Sequence, residues 1–552
     1  MRTLFTLLAA ASLLACAQLP DRSPAVEQER LRAHIEFLAS DALEGRNAGT
    51  TGYDVAAEYV AAEFRQLGLV PAGTDGSYFQ QVPLREHSLV KGSASVVIES
   101  AAGRHALSYP EDFIMGPDRN RPVARLDDAE MVFVGYGIVA ADYRHDDYAG
   151  LDVEGKIAVF LTGRPKAWPT EEGAHLASGT QKARYAVERG AIGVIALHTP
   201  RSEAVFPWED SIEHLDQPGM SWIGPDGLPD DYFTEIQGGA TLNLAAAAVL
   251  FDGAPVTLEE VYRRDTEQEA IEGFPLAGKI SLARKSSYRE LSSPNVIGVI
   301  EGSDPVLKNE VIVYSAHLDH LGIIPNEEGV EEIYNGAMDN AAGIATLLET
   351  ARILKDEGLK RSVMFLAVTA EEKGLLGAGY FANNPTVPIE NIVANINLDM
   401  PVITYPFADV VAFGSEHSSL KDTVAAAAEG AGIKLSPDPM PEQGLFTRSD
   451  HYELVKKGVP AVFLMTGFES KDPDQSGAEV WQAHLKDHYH QPSDDLNLPI
   501  DYQAGAVFTE INVNIGREIG DGAARPHWNA GDFFGREFGS GAQLAPPPVA
   551  AP

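Results

Sequence analysis

The sequence is poor in cysteine and in basic residues, and each shortage excludes a class of protein. Its 552 residues include one cysteine, Cys16. Intramolecular disulfides and zinc sites built from several thiolates are therefore excluded. The 42 basic residues are outnumbered by 80 acidic ones, which gives a formal net charge of −38. A field of this sign repels phosphate groups, so we expect no nucleic-acid partner and no attraction to anionic lipid.

Long hydrophobic runs are also missing, except at the N terminus. There "MRTLFTLLAAASLLACAQLP" places Arg2 before an apolar stretch that is typical of an export signal and too short to span a bilayer. Cys16 follows "LLA" and resembles the lipidated cysteine of a bacterial lipoprotein signal. We therefore predict a signal peptide over residues 1–16 and a protein on the periplasmic face of the outer membrane, with a lipid on Cys16 as its only membrane anchor. Conventional cleavage after Ala17 is the alternative, and it would leave a periplasmic or secreted protein.

The length of the chain indicates two or more domains. Helical spacing of apolar residues in "GYDVAAEYVAAEFRQLGL" gives way near residue 125 to short β-like runs such as "GKIAVFLTG" and "AIGVIALH". A loop rich in Pro, Trp, Asp and Gly is expected from Thr199 to about Asp231. After residue 256, strands that are apolar throughout alternate with helices, which predicts a mostly parallel sheet covered on both faces. The last stretch, "GSGAQLAPPPVAAP", is of low complexity.

Metal-binding residue types follow the predicted strands of this second region. Ligands collect at the carboxyl ends of parallel strands, so these side chains are expected to lie close together. They are His317, Asp319 and His320 after "VIVYSA", Asp339 before the next helix, Glu371 and Glu372 after "VMFLAVTA", Asp399 after "IVANINL", and His488 and His490 on a late loop. Any one of them has an ordinary structural explanation. Together they suit two divalent ions, because imidazole nitrogen and carboxylate oxygen are both zinc ligands and one carboxylate can bridge two ions.

Five motifs occur in the order found in the co-catalytic zinc aminopeptidases related to aminopeptidase S and aminopeptidase Y. They are "AHLDHLG", "GAMDNAAG", "TAEEKGLLGA", "INLDM" and "YHQPSDD". The intervening "FVGYGI", "DDYAGLDVEGKIAVF" and "ERGAIGVIAL" resemble the protease-associated domain. The resemblance implies an α/β fold, with a mostly parallel, mixed sheet between helices and an inserted small α/β domain. The implied boundaries are a catalytic domain over 24–125 and 256–525, the insertion over 126–255, and a low-complexity tail over 526–552.

The same resemblance implies a site for two Zn²⁺ ions, although such ligands also accept Mn²⁺ or Co²⁺. The ligand set that it implies has three parts: His317 and Asp399 on one ion, Glu372 and His490 on the other, and Asp339 as the bridge. Peptides with a free N terminus would be the substrates, and a water bridging the ions would attack the first carbonyl.

Further roles follow from the same family. Glu371 would be the general base, Tyr489 would hydrogen-bond the developing oxyanion, and Asp319 would orient the imidazole of His317. Arg448, in "RSDH", would either contact substrate or form a structural ion pair. The family's motif uses the first histidine of "HLDHLG", which leaves His320 without a role, and its "YHxP" context favours His490 over His488.

Three alternatives stay open on the same fold. Glutamate carboxypeptidases share the sheet and the insertion, but they carry an additional helical domain for which the chain after residue 500 leaves little room. Glutaminyl cyclases use one zinc for an acyl transfer within the substrate. Receptor-type scaffolds lose metal ligands, whereas this chain keeps the full set together with Glu371.

Overall fold

The computed structural model describes residues 26–213, 215–326 and 329–544. The signal peptide and Cys16 lie outside these ranges, so the lipoprotein anchor stays a prediction. The described chain forms two β-sheets with helices around them. Its α-helices lie at Gln28–Leu38, Thr51–Leu67, Thr170–Leu176, Gly179–Val187, Pro200–Glu203, Trp208–Glu213, Leu244–Ala247, Leu258–Glu267, Ala342–Leu354, Leu376–Asn383, Leu420–Gly430, His451–Val455, Gly477–Asp487, Tyr502–Asp521 and Phe533–Phe538.

The first sheet is mixed, with four adjacent parallel strands at its centre. In order across the sheet the strands are Lys434–Ser436, Asp409–Phe413, Ala461–Thr466, Ile392–Leu398, Val311–His317, Ser362–Val368, the second half of Phe274–Ile300, then Val70–Pro71 and Phe79–Leu89, and Gly219–Trp222. Among these four strands, the parallel pairs join Ile392–Leu398 to its neighbour on each side and Val311–His317 to Ser362–Val368. At the edge of the sheet, Lys434–Ser436 also pairs in parallel with Asp409–Phe413. The mostly parallel central sheet predicted from the sequence is therefore confirmed.

Helices cover both faces of this sheet because its central strands are apolar on both sides. In the strand Val311–His317 every residue is buried. Val311 and Val313 belong to a cluster with Phe381. The alternate residues Ile312 and Tyr314 belong to the larger core. Each face of the strand thus has its own packed layer, and the carboxyl ends of the strands stay free to present polar side chains.

The second sheet shares the long strand Phe274–Ile300 with the first. Its order is Gly103–Ala106, Ser95–Ser100, the first half of Phe274–Ile300, Val123–Phe133, Ile157–Leu161, Gly193–Leu197, Gly238–Leu242 and Phe113–Ile114. Two short hairpins, Val139–Ala140 with His145–Asp146 and Gly322–Pro325 with Glu331–Tyr334, complete the strands. This sheet combines strands from residues 126–255 with strands that come before residue 126 and after residue 255 in the sequence. The boundaries of a separate inserted domain at residues 126 and 255 therefore stay a prediction.

One segment expected to be a loop forms a strand. Gly219–Trp222 lies within the expected loop from Thr199 to Asp231, yet it pairs antiparallel with Phe79–Leu89 at the edge of the first sheet. A Cβ atom on Gly219 would lie 2.6 Å from Cε1 of His87, so glycine allows the close approach of the two strands. The local composition of the segment indicates a loop. It could not reveal the strand, because the pairing partner lies in a distant part of the chain.

The predicted tail at 526–552 is wrong for its described part. Trp528 and Phe534 are fully buried, and Phe533–Phe538 forms a helix. The indole nitrogen of Trp528 donates to the carbonyl of Gly458 at 2.7 Å. Trp528, Phe533 and Phe534 belong to the larger core, so residues 526–538 have the apolar surface for packing that a low-complexity tail lacks.

A mostly buried histidine links this C-terminal segment to the region of the second sheet. Nδ1 of His417 lies 2.5 Å from Oδ2 of Asp532, and its Nε2 contacts Glu171. Burial opposes a charge on His417, but the hydrogen bonds to Asp532 and Glu171 outweigh it and raise the pKa of the imidazole to about 10.

We predict that this contact stabilises the protein in a pH-dependent way. A raised folded-state pKa gives stabilisation that is complete below the unfolded value of about 6.5 and is lost as pH rises through about 10. His417→Gln should therefore lower the melting temperature by several degrees at pH 6, and by much less at pH 10. His105→Gln, at a partly exposed histidine of the second sheet, is the control. Equal losses for His417→Gln at both pH values would contradict the proposed charge on His417.

No helix among the described residues is both long enough and apolar enough to cross a membrane.

Candidate functional site

The predicted metal ligands meet at the carboxyl ends of the parallel strands. His317 is the last residue of its strand, and Asp399 follows Ile392–Leu398 directly. Glu371 and Glu372 come shortly after Ser362–Val368. Between that strand and the glutamates, Ala370 has φ of 54°, a conformation that costs a non-glycine residue about 1–2 kcal/mol. The turn at Ala370 brings both glutamates over the edge of the sheet.

Asp339 lies between the two imidazoles. Its Oδ1 is 3.2 Å from Nε2 of His317, and its Oδ2 is 3.4 Å from Nε2 of His490. His317 Nε2 is also 3.1 Å from Oδ1 of Asp399, and His490 Nε2 is 3.1 Å from Oε2 of Glu372. The five side chains thus form two histidine–carboxylate groups that share one aspartate.

The chemistry of these five side chains fits two zinc-class ions. One ligand atom each from His317, Asp339 and Glu372 lies within 4.8 Å of the others. Each half offers one imidazole nitrogen and one carboxylate of its own, together with one oxygen of Asp339. Such mixed nitrogen and oxygen sets with a shared carboxylate are those of two-metal hydrolytic sites.

Asp319 supports the site by a different contact from the one predicted. Its carboxylate accepts hydrogen bonds from the main-chain N–H groups of Glu371 at 3.0 Å and Glu372 at 3.3 Å. Its carboxylate oxygen is 4.0 Å from Nδ1 of His317, whereas its main-chain carbonyl is 3.2 Å away. The carbonyl therefore sets the His317 tautomer, with Nδ1–H donating and Nε2 facing the carboxylates.

His320 and Asp494 have roles that the sequence did not indicate. Nδ1 of the fully buried His320 lies 2.6 Å from Oε1 of Glu372, so it orients the carboxylate whose other oxygen faces His490. Asp494 accepts hydrogen bonds from the main-chain N–H groups of Met338 at 2.9 Å and Asp339 at 3.0 Å. The signal for Asp494 was its place in "YHQPSDD", but spacing does not show that this loop returns to Asp339.

Two further residues behind the site were also missed. Ser449 donates a hydrogen bond of 2.5 Å to Oδ2 of Asp399. Asp450 is buried, and neither of its carboxylate oxygens has a hydrogen-bond partner within the described part of the chain. Burial raises the pKa of Asp450 well above its ordinary value, and the charge of Asp399 raises it further. Both residues lie in the "RSDH" stretch, for which the family resemblance implies a role of Arg448 alone.

Glu371 faces a small cleft beside the ligands rather than joining them. The cleft has a volume of about 50 Å³. It is lined by His317, Asp339, Glu371, Asp399, Met400, Leu445, Arg448, Ser449, Phe463, Met465, Tyr489 and His490. Burial raises the pKa of Glu371 well above its ordinary value, and the nearby carboxylates of Asp399, Asp450 and Glu372 add to the rise. A carboxylate with a raised pKa is suited to accept and return a proton near neutral pH.

Tyr489 and Arg448 lie in the same cleft, whereas His488 does not. The ring of Tyr489 stacks on that of His490, with centroids 3.8 Å apart. Burial raises the pKa of the Tyr489 phenol, so its hydroxyl keeps its proton at neutral pH. Arg448 makes 3.5 Å contacts with Gln443, and among the described residues no carboxylate lies within ion-pair distance of it, so the alternative of a structural ion pair has no partner there. His488 contacts Ser493 at 2.9 Å.

Part of the chain is similar in sequence to known peptidases. Residues 295–515 match the sequence model of peptidase family M28. Aminopeptidase YwaD of Bacillus subtilis (strain 168) is 27% identical over 224 residues, which cover 40% of this chain and 43% of that protein. Leucine aminopeptidase 2 of Trichophyton rubrum is 30% identical over 244 residues, which cover 42% of this chain and 46% of that protein. The alignments thus span less than half the length of these curated relatives.

A solved structure extends the likeness in fold to most of the chain. The aminopeptidase from Aneurinibacillus sp. strain AM-1 superimposes with a TM-score of 0.51 and 18% identity, covering 90% of this chain and 95% of that one. At this identity the likeness concerns the fold alone. The match to the sequence model of peptidase family M28, over residues 295–515, includes all five histidine and carboxylate ligand candidates and Glu371.

Proposed function

We propose that this protein is a zinc-dependent aminopeptidase that removes N-terminal residues from peptides. The observation that carries the proposal is the position of Asp339, with one carboxylate oxygen facing each of the two imidazoles. His317 and Asp399 would hold one ion, Glu372 and His490 the other, and Asp339 both. Bound ions would supply Lewis-acid polarisation of the scissile carbonyl and acidify water.

The remaining chemistry belongs to side chains of the cleft. The carboxylate of Glu371 accepts a proton from the attacking water and returns it to the nitrogen of the leaving amine. Its raised pKa supports both transfers, because a strongly acidic carboxylate would hold the proton too weakly to deliver it. The hydroxyl of Tyr489 donates a hydrogen bond to the oxygen on which negative charge develops.

The negative charge of the cleft supports an N-terminal cut. Asp339, Asp399 and Glu371 all line it. A protonated α-amine complements these carboxylates, whereas an acylated nitrogen has no charge and needs more room.

We therefore expect cleavage to require a free α-amine. Leucine p-nitroanilide should be hydrolysed, and N-acetyl-leucine p-nitroanilide should be hydrolysed at least about a hundredfold more slowly, since a charge-assisted contact is lost and the acyl group is excluded. Initial rates of anilide release provide the measurement. Release of C-terminal residues from an N-blocked peptide would favour a carboxypeptidase. Loss of ammonia from an N-terminal glutamine peptide would favour a cyclase.

A further inference from the structure

A second cavity, larger than the cleft, lies at the end of the second sheet. Its volume is about 920 Å³, which is the size of a pocket for a small molecule or a few residues of peptide. Its apolar walls include Trp168, Val205, Phe206 and Trp208. Phe206 is 51% exposed and Val205 41% exposed, so these apolar side chains face open space rather than the core.

The cavity is basic in a protein that is strongly acidic. Arg164, Lys166 and Arg201 line it, and Glu442 is the one carboxylate in this lining. Arg201 is neutralised, because its guanidinium lies 2.6 Å from Oδ1 of Asp265. Arg164 has no such partner: among the described residues, no carboxylate lies within ion-pair distance of it. The sequence has 80 acidic residues, yet this half-buried arginine has no carboxylate partner among the described residues. Its charge therefore points to an anionic ligand that binds in the cavity.

The backbone near Arg164 is shaped to fit its side chain. A Cβ atom on Gly173 would lie 2.7 Å from Cδ and 2.8 Å from Nε of Arg164. Glycine at this position therefore leaves the space in which the arginine lies beside the helix Thr170–Leu176. A guanidinium fixed in this way can bind a carboxylate through two parallel hydrogen bonds.

One short loop borders both the cavity and the cleft. Pro441 and Glu442 line the cavity, and Leu445 and Arg448 line the cleft. Pro441 and Leu445 are four positions apart in the sequence, so at most about 14 Å separates them. An extended peptide covers about 3.3 Å per residue, so about four residues would bridge this distance.

We propose that the cavity is a distal subsite for the substrate, in which Arg164 binds a carboxylate of the peptide and the aromatic walls receive a neighbouring apolar side chain. The proposal rests on the proposed aminopeptidase function and deepens it. The preferred substrate is then an oligopeptide of about five to seven residues, with its N terminus in the cleft. The carboxylate is either the C terminus or the side chain of an aspartate or glutamate at that position.

The test compares hexapeptides of sequence Leu-Ala-Ala-Ala-Ala-Phe with a free C terminus and with a C-terminal amide. For the parent protein we expect KM for the free acid to be at least about tenfold lower than KM for the amide. The reason is that only the free acid can form a charge-assisted hydrogen bond with Arg164. Arg164→Gln should raise KM for the acid to the level of the amide, with kcat changed far less. Each result is expressed relative to the turnover of leucine p-nitroanilide by the same variant, because the anilide is too short to reach the cavity.

Two further variants make the comparison specific. Arg125→Gln makes the same chemical change at a residue that is exposed and paired with Asp127, and it should keep the preference for the acid. Phe206→Ala removes a half-exposed ring from the cavity wall, and it should raise KM for the hexapeptide ending in phenylalanine more than for one ending in alanine. An amidated hexapeptide with glutamate at position six shows whether a side-chain carboxylate replaces the terminal one.

Several outcomes would overturn the proposal. They are equal KM values for acid and amide in the parent, an unchanged preference in Arg164→Gln, or loss of the preference in Arg125→Gln as well. Failure of the proposed function is a separate result, because it appears as absent hydrolysis of the anilide. In that case, calorimetric titration of the acid and amide hexapeptides into the parent and Arg164→Gln proteins tests whether the cavity binds the peptide carboxylate without hydrolysis. Tighter binding of the acid that depends on Arg164 supports the subsite, and equal binding overturns it.

Discussion

Glu371→Gln is expected to reduce turnover by about 10²–10⁴-fold while both metal ions stay bound. The substitution keeps the size of the side chain and removes its ability to accept a proton. The fold should be preserved, because the contact that holds this turn is made by the main-chain N–H of Glu371 to Asp319 and does not involve the carboxylate. Substrate affinity should change far less than turnover, since the proton transfer occurs only on the way to the transition state.

The adjacent glutamate is a matched control for this variant. Glu372→Gln makes the same chemical change one residue along the chain, but it replaces the carboxylate that contacts His320 and His490. We expect this variant to lose metal and to recover part of its activity when excess zinc is added. Metal content by mass spectrometry, with kcat and KM from the same preparations, separates the two effects. If Glu371→Gln loses the ions or keeps normal turnover, the proposed assignment of base and ligand is wrong.

Most of the site can be predicted from the sequence, because the strands of the first sheet position most of the candidate ligands. His317 ends an apolar strand, Asp399 follows one directly, and the two glutamates come shortly after a third. Adjacent parallel strands end at one edge of the sheet. The spacing of residues alone could not locate His490, since it lies on a late loop with φ of 56°. Its position was inferred from the resemblance of "YHQPSDD" to the family.

The supporting contacts could not be predicted because they join distant parts of the chain. His320 contacts Glu372 across 52 positions, and Asp494 contacts the main chain of Asp339 across 155 positions. Both contacts depend on how loops fold over the sheet, and neither leaves a periodic pattern in the sequence. The edge strand Gly219–Trp222 and the packed segment around Trp528 were missed for the same physical reason: burial of those segments is decided by distant elements rather than by local composition.

Asp339→Asn is expected to be the most damaging single change at the site. The two carboxylate oxygens of Asp339 face different imidazoles, and asparagine has only one oxygen to offer. Its amide nitrogen carries hydrogens and cannot serve as a ligand, so at least one half of the site loses an anionic donor. We expect the metal content to fall from two ions per chain to one or fewer. Activity should fall at least about a thousandfold, because each ion stabilises the transition state by several kcal/mol.

A buried aspartate elsewhere in the same sheet tests whether this loss is specific. Asp409 is buried and accepts a hydrogen bond of 2.8 Å from the main-chain N–H of Glu469. Asp409→Asn therefore places the same amide in a buried position without touching the imidazoles, and it should keep two ions even if the melting temperature falls. Asp339→Asn should lose metal at temperatures where circular dichroism shows it folded. Two tightly bound ions in folded Asp339→Asn would mean that Asp339 is not the shared ligand, and the two halves of the site would then have to be assigned to separate ligand sets.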